Sequence, residues 1–402
     1  MKIAHCSDLH LGKKFAGTKE FSQKRYEDFF IAFDKMADKV IELNTDVLII
    51  AGDLFDKREI GADTLKRTEE IFKKIIFDEN NNRRNIDILV IDGNHDISSS
   101  HNDSWINYLE QKSYIKYSRY NKEDINNCKV RIKDINFYLV GYHGFMIDSV
   151  MKNLVEQLDA HEKNIVVAHT AIFNNFNLPG LINTETVNEF RDRVLYMAGG
   201  HIHSYSKYPK ENPFFFVPGS LEFTNVLNES SDNKGFLFFN TELNDVKFIE
   251  VEHRKRLRTK IFKYDINMNL EEKFSEFLSE YKFSGNEMVI VPIECDYSDY
   301  INTQKLEDIA NNFNIFKCYF EFKMKGLDYT VTNSDDINVS DMRSSIEKNI
   351  IDEWDFLKNK SDFSKILTQM KKFQSDDDRE SFFSVFDKFL NDNFICGEKN
   401  EN

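Results

Sequence analysis

The sequence predicts a layered α/β protein, with sheets sandwiched between helices. Three observations lead there. Short apolar runs recur along the first two-thirds of the chain, in the near-continuous pattern of strands buried on both faces. Amphipathic stretches lie between them, and each apolar stripe needs a sheet to cover. The residues directly after several runs are Gly, Asp, Asn and His, and open α/β sheets gather their ligands at strand carboxyl ends.

The expected strands, in order, are residues 3–7, 47–51, 88–91, 137–141, 165–168, 194–198, 214–217, 235–239 and 246–251. Between the first two, Phe29, Phe33, Met36, Val40 and Leu43 recur in steps of four and three, which places one helical stripe on a sheet. Val150, Leu154 and Leu158 repeat the idea over 150–158. The basic run His253-Arg254-Lys255-Arg256-Leu257-Arg258 breaks the pattern and marks a boundary. Behind it a smaller strand–helix–strand–helix–strand unit is expected at 259–264, 270–281, 288–294, 305–312 and 315–322. Asn333-Ser334-Asp335-Asp336 reads as a linker. Beyond it, Met342, Ile346, Ile350 and Trp354 share one helical face, and Phe382, Phe386 and Phe389 another, with Asp376-Asp377-Asp378 as charge ahead of the later helix. The expected domains are therefore 1–255, 256–330 and a helical region at 331–402.

Over 402 residues, 53 basic and 68 acidic side chains leave a formal charge of −15, with 41% hydrophobic residues. That composition excludes disorder and fibre, and it opposes indiscriminate coating of nucleic acid while leaving a local cationic site open. Cys6, Cys128, Cys295, Cys318 and Cys396 share no Cys-x-x-Cys spacing, so a disulfide framework or cysteine zinc site is not expected and a reducing compartment fits. No apolar run approaches the ~20 residues that cross a bilayer, and the chain opens without a signal-peptide pattern. A soluble cytoplasmic protein without a membrane part is the expectation.

The chemistry lies at the strand ends. Asp8-Leu9-His10 follows the first run, Gly52-Asp53 the second and Gly93-Asn94-His95-Asp96 the third. His169 follows 165–168, and Gly199-Gly200-His201-Ile202-His203 follows 194–198. One Asp-x-His or His-x-His alone would be a weak signal; five such segments in order form a strong one. Carboxylate and amide oxygens mixed with neutral imidazoles suit manganese, iron or zinc, whereas an all-oxygen set would favour magnesium or calcium. Seven ligands exceed one mononuclear site but divide between two ions if a carboxylate bridges. Such ions, ~3.5–4 Å apart, polarise a phosphoryl group and stabilise attacking and leaving oxygens.

In that order, Asp8-Leu9-His10, Gly52-Asp53-Leu54-Phe55-Asp56, Gly93-Asn94-His95-Asp96, His169 and Gly200-His201-Ile202-His203 resemble the calcineurin-like metallophosphoesterase signature. The Leu9-His10-Leu11-Gly12 continuation and Pro218-Gly219-Ser220-Leu221-Glu222 are more narrowly similar to the SbcD/Mre-type DNA repair nucleases. The resemblance implies an αββα metallophosphoesterase sandwich with a smaller α/β capping domain. It implies that Asp8, His10, Asp53 and His203 hold one ion, and that Asp53, Asn94, His169 and His201 hold the other, with Asp53 bridging. The ions would be two Mn2+, with Mg2+, Fe2+ or Zn2+ as substitutes. His95 would be the catalytic donor to the leaving oxygen, and Asp96 would orient its ring. The implied reaction is in-line phosphodiester hydrolysis of DNA, exonucleolytic on duplex ends and endonucleolytic on single strands or hairpins. The implied partners are DNA, an SMC-like SbcC-type ATPase docked on the C-terminal helices, and a second copy of the chain. Some members carry a second active-site histidine where this chain has Asp56, which bears on how the strand is gripped.

Other residues carry plainer expectations. His143 reads as a hydrogen-bonded loop histidine, and His5 and Cys6 as core. The basic run could contact backbone phosphate or form a solvated linker. Lys13, Lys14, Lys57 and Arg58 follow the metal loops directly and are better placed to meet phosphate. A phosphomonoesterase or small cyclic phosphodiesterase of the same fold is the alternative, and a non-catalytic scaffold a third class. The smaller unit and helical tail favour a macromolecular substrate.

Overall fold

The structure, a computed structural model, describes residues 1–97, 104–172, 179–296, 301–324 and the backbone of 330–332. The linker and helices expected beyond 332, and Cys396, lie outside the described residues.

The first sheet holds β1 (Lys2–Cys6), β2 (Val47–Ile50), β3 (Asp87–Val90) and β4 (Lys116–Tyr117) in parallel, with β13 (Gly235–Asn240) antiparallel to β1 and β14 (Asp245–Glu250) at the edge. The second holds β6 (Ile135–Gly141), β7 (Lys163–Ala168), β10 (Tyr196–Ala198) and β12 (Phe215–Val217) in parallel. Its antiparallel edges are β5 (Lys129–Ile132) and β11 (Ser206–Tyr208). A short pair, β8 (Ala171–Ile172) and β9 (Leu181–Ile182), stands apart.

Alternation along the strands builds the layers. Ile3, Val47, Ile49 and Leu89 point to the space between the sheets, where they meet Phe137, Leu139, Ile165, Val167 and Phe216. Ala4, Leu48, Ile50, Ile88 and Val90 face outward onto α1 (Lys19–Glu42) and α2 (Ala62–Ile76). Tyr138, Val140 and Val166 do the same beneath α4 (Ile147–Gln157). The result is helix, sheet, sheet, helix. The stripe expected around Phe29 is the buried face of α1, which Thr18 caps by accepting from Phe21 N.

Three expectations are corrected. Residues 246–251 were expected to be buried on both faces, but β14 is an edge strand on which Lys247 and Glu250 are exposed and the other side chains only half-buried. The strand expected at 259–264 is only β16 (Phe262–Lys263), and β15 (Arg256–Arg258) forms before it within the basic run, both pairing with β17 (Met288–Cys295). The basic run is no solvated linker either. Arg254 donates to Asp28 at 2.6 Å and stacks 3.9 Å from the Phe316 ring centroid, Arg256 pairs with Asp232, and Arg258 with Glu321.

Helices α3 (Trp105–Gln111) and α5 (Thr184–Asn188) precede this unit. Its sheet continues from β17 to β18 (Lys317–Met324) and β19 (Thr330–Thr332), with α6 (Leu270–Ser279) and α7 (Thr303–Ala310) covering one face. The other face sets Met288 and Ile290 against Phe223 and Val226. At this junction Arg25, fully buried, donates to Asp28, Glu222 and the Phe223 carbonyl at 2.7, 3.1 and 2.6 Å.

Candidate metal centre

β1, β2 and β3 are adjacent and parallel, as are β7 and β10 across the sandwich, so their carboxyl ends open on one crevice. The loops that leave them are tied to one another before any side chain is considered. Asp8 N donates to Gly52 O, His10 N to Asp53 O and Leu11 N to Leu54 O, each at 3.0 Å. This bracing holds Asp8, His10 and Asp53 at φ of 54°, 46° and 51°, and His201, whose N–H donates to the Asp8 carboxylate, sits at 78°. Left-handed backbone is uncommon outside glycine, and it concentrates where structure overrides local preference. At Gly93 a Cβ would fall 2.0 Å from Asp53 Oδ1 and 2.2 Å from Asp53 N, so only glycine lets the third loop come this close.

All seven expected ligands converge. Asp53 Oδ2 lies 3.7 Å from His10 Nε2 and 3.5 Å from His169 Nε2, between the two rings. Asp8 Oδ1 lies 3.8 Å from His203 Nε2 and 4.0 Å from His169 Nε2, and both its oxygens accept from His201 N at 3.1 Å. Asn94 Oδ1 is 2.9 Å from His201 Nδ1 and 3.1 Å from His169 Nε2. Three overlapping groups have metal-binding spacing: Asp8, His10 and His203; Asp8, Asp53 and His169; His10, Asp53 and His95.

The donor set fits divalent cations. Three of the four expected ligand imidazoles direct one ring nitrogen at a protein oxygen: His169 Nδ1 at Ala51 O (2.7 Å), His201 Nε2 at Pro179 O (3.1 Å) and His203 Nδ1 at Thr224 Oγ1 (2.5 Å). With the N–H placed there, the other nitrogen turns its lone pair inward, the arrangement that orients metal-binding histidines. His10 Nδ1 sits more loosely, 3.5 Å from Asp56 Oδ1.

The electrostatics agree. Burial alone would raise Asp53, yet His169 and His10 hold its carboxyl well below the usual carboxylate range. Burial alone would lower His169, but Asp53 and Asp8 bring it up to about 9. Burial and then His169 push His201 down to about 4. The site is built around excess carboxylate charge shared among lone-pair donors.

Residues 1–205 match the calcineurin-like phosphoesterase family, a stretch that holds all seven expected ligands. The chain belongs to that family. As a calcineurin-like phosphoesterase it is a metal-dependent hydrolase. Among curated proteins it is similar to the DNA double-strand break repair protein Mre11 of Archaeoglobus fulgidus, 27% identical over 342 residues, 77% of this chain and 71% of that one. The protein of the same name from Methanococcus maripaludis is 27% identical over 406 residues, 97% of this chain and 99% of that one. A solved structure from Thermus thermophilus shares 10% identity at a TM-score of 0.39, over 62% of this chain and 99% of that one; likeness at that level transfers no function.

Within this phosphoesterase centre, one expected arrangement is corrected. Asp96 does not orient the His95 ring. Its carboxylate accepts from the backbone N–H groups of Leu54, Phe55 and Gly93 at 3.0, 2.9 and 3.1 Å, bracing two metal loops. Burial and then Asp53 push it up to about 8. The His95 ring is held instead by the Asp56 carbonyl, 2.6 Å from Nδ1, while its backbone N donates to Asp53 Oδ1 at 2.9 Å. Asp56 also takes up the position of the missing second histidine: its side chain is buried and accepts from Lys13 Nζ at 3.1 Å. Burial opposes this, but His10 and Lys13 hold Asp56 at about 2.

The remaining expectations fall simply. His5 and Cys6 are buried core, with His5 bonded to Tyr196 Oη and Gly199 O at 2.8 and 2.9 Å. His143 is a loop histidine bonded to Val140 O at 2.9 Å. Lys14 and Lys57 line a cleft of about 390 Å³ with Leu11, Tyr26, Ile60 and Asp63, beside the metal loops. Arg58 is exposed.

Two contributions had no signal in the sequence. Tyr142 lays its ring 5.7 Å from His201 and 5.9 Å from His169. Thr224, Glu229 and Lys234 stand behind His203, in a stretch whose Asn, Ser and Asp content reads as an ordinary surface loop.

Proposed function

We propose that this calcineurin-like phosphoesterase is a manganese-dependent DNA nuclease, acting on duplex ends as an exonuclease and on single strands or hairpins as an endonuclease. The observation that carries this reading is the end-to-end likeness to the Methanococcus maripaludis repair protein, which runs past residue 205 and through the smaller sheet. The convergence of seven ligand side chains supplies the chemistry. We further assign 1–255 as the nuclease domain, 256–330 as a capping domain that meets DNA, and 331–402 as a docking element for an SMC-like SbcC-type ATPase. A homodimer working in the cytoplasm on repair, recombination or defence completes the reading. Among the described residues no helix is long and apolar enough to cross a membrane.

Bound there, two divalent ions supply Lewis-acid polarisation of a phosphoryl oxygen and an activated water. Asp8, His10, Asp53 and His203 would hold one, and Asp53, Asn94, His169 and His201 the other, with Asp53 shared. The Asp56 carbonyl fixes the proton on His95 Nδ1, which leaves Nε2 to carry a second proton to the departing sugar oxygen. Lys14 and Lys57 would take flanking phosphates, each contact adding salt-dependent affinity.

The test is cleavage of linear duplex DNA by the purified full chain with Mn2+, beside Asp53→Asn. Duplex degradation lost in the variant supports the reading. Hydrolysis confined to small phosphate esters would replace it with the phosphomonoesterase or cyclic phosphodiesterase alternative. Mn2+ binding without hydrolysis of either substrate would leave a scaffold.

A further inference from the structure

Glu229 is buried behind His203, and its charge is not idle. Oε1 accepts from Thr224 N, Thr224 Oγ1 and Asn225 N, each at 2.8 Å, and Oε2 pairs with the buried ammonium of Lys234. A carboxylate surrounded by donors can only accept, so the Thr224 hydroxyl must spend its proton on Glu229. Thr224 Oγ1 is then an acceptor toward His203 Nδ1, at 2.5 Å, with Glu229 Oε1 itself 3.4 Å from the same nitrogen, and the His203 proton is confined to Nδ1. Nε2 is left as a lone pair facing Asp8 and His10. Lys234 also donates to the His203 carbonyl at 3.0 Å and to Ser220 Oγ at 2.9 Å, fixing the backbone as well as the ring.

The chain of contacts continues into the smaller sheet. Arg256, the first residue of β15, donates to the Glu229 and Val226 carbonyls at 2.6 and 2.8 Å. Its guanidinium and the Lys234 ammonium both approach the buried Phe223 ring, at 4.6 and 4.7 Å from its centroid. Arg254 ties the same strand region to α1 through Asp28 and, among the described residues, makes no hydrogen bond to 224–234.

We propose that Glu229, seated by Lys234 and Arg256, is a positioning residue that sets the His203 tautomer through Thr224 and through its own contact with Nδ1, and that Arg256 thereby couples the smaller sheet to the metal centre. The inference rests on His203 being a metal ligand. It predicts that displacement of β15, by a bound strand or a partner, changes ion affinity without touching a ligand.

Mn2+ titration calorimetry on the full chain tests it, with Thr224→Val, Thr224→Ser, Glu229→Gln, Arg256→Ala and Arg254→Ala. Thr224→Val and Glu229→Gln should weaken one of two Mn2+ equivalents by ~10- to 100-fold. Thr224→Ser, which keeps the hydroxyl, should restore it. Arg256→Ala should weaken the same equivalent, while Arg254→Ala should stay within about twofold. Nitrogen-15 spectra of the metal-free chain should show His203 protonated at Nδ1 in the wild type and a mixed tautomer in Thr224→Val. Wild-type affinity in both Thr224→Val and Glu229→Gln would overturn the positioning role, and equal losses in Arg254→Ala and Arg256→Ala would overturn the coupling. A wild type that binds no Mn2+ would sink the metal centre itself, a different failure.

Discussion

His95 Nδ1 lies 2.6 Å from the carbonyl oxygen of Asp56, on the same loop that carries Asp53. The backbone that presents the shared carboxylate therefore also aims the imidazole, and the two cannot drift independently. A peptide oxygen does not titrate, so this aim holds across the working pH range, which a carboxylate partner would not guarantee.

His95→Gln should retain both Mn2+ ions and lose ~10²- to 10⁴-fold in turnover, the range for a missing proton donor. Calorimetric stoichiometry beside the rate decides it. Because His95 also has ligand spacing to His10 and Asp53, loss of one ion would make it a ligand instead of a donor.

Asp53→Asn should abolish phosphoester hydrolysis and weaken both ions, with the circular dichroism spectrum unchanged. Asn is the informative choice because it accepts the left-handed backbone at this position, whereas Ala would add strain of its own. If hydrolysis survives the substitution, no bridging role is left to Asp53.

Removal of metal should leave the protein less stable at alkaline pH. His169 is raised in the fold to about 9 from an ordinary 6.5, so the folded chain binds this proton more tightly than the unfolded chain does. Its contribution is complete below pH 6.5 and fades as pH climbs to 9, amounting to at most about 3 kcal/mol. Melting of the chelated protein should fall across that window, and His169→Gln should flatten the fall. Equal slopes in the two proteins would rule this out.

Arg25→Met should cost about 3–5 kcal/mol in denaturant unfolding, because it leaves Asp28 and Glu222 without their buried cation. Catalytic constants measured well below the transition should change little. A loss under 1 kcal/mol would mean that Arg254 and solvent neutralise those carboxylates unaided.

How much of this was legible follows from what each residue needs. The buried central strands and the convergence of Asp8, His10, Asp53, Asn94, His169, His201 and His203 were legible, because buried strands must be apolar and parallel strands bring their carboxyl ends to one crevice. The helix α2 escaped notice: its buried Ile71, Phe72, Ile75 and Ile76 crowd its second half, leaving too short a stripe to count. The basic run was misread for a different reason. Arginines that meet phosphate and arginines that meet Asp28, Asp232 and Glu321 are identical in sequence, and their partners lie 24 to 226 residues away. Glu229 and Thr224 were invisible for the same cause, since a residue that supports a ligand needs no spacing to it. The pairing of Asp96 with His95 came from the resemblance, which cannot show that the Asp96 side chain turns to the N–H groups of Leu54, Phe55 and Gly93.

The left-handed loops at Asp8, His10 and Asp53 are braced by backbone hydrogen bonds between neighbouring loops, not by whatever they bind. The cage thus belongs to the sheets. Cation uptake is then expected to be docking into a pre-shaped cradle, undone by a chelator and refilled without refolding, unlike small domains that assemble only around their ion.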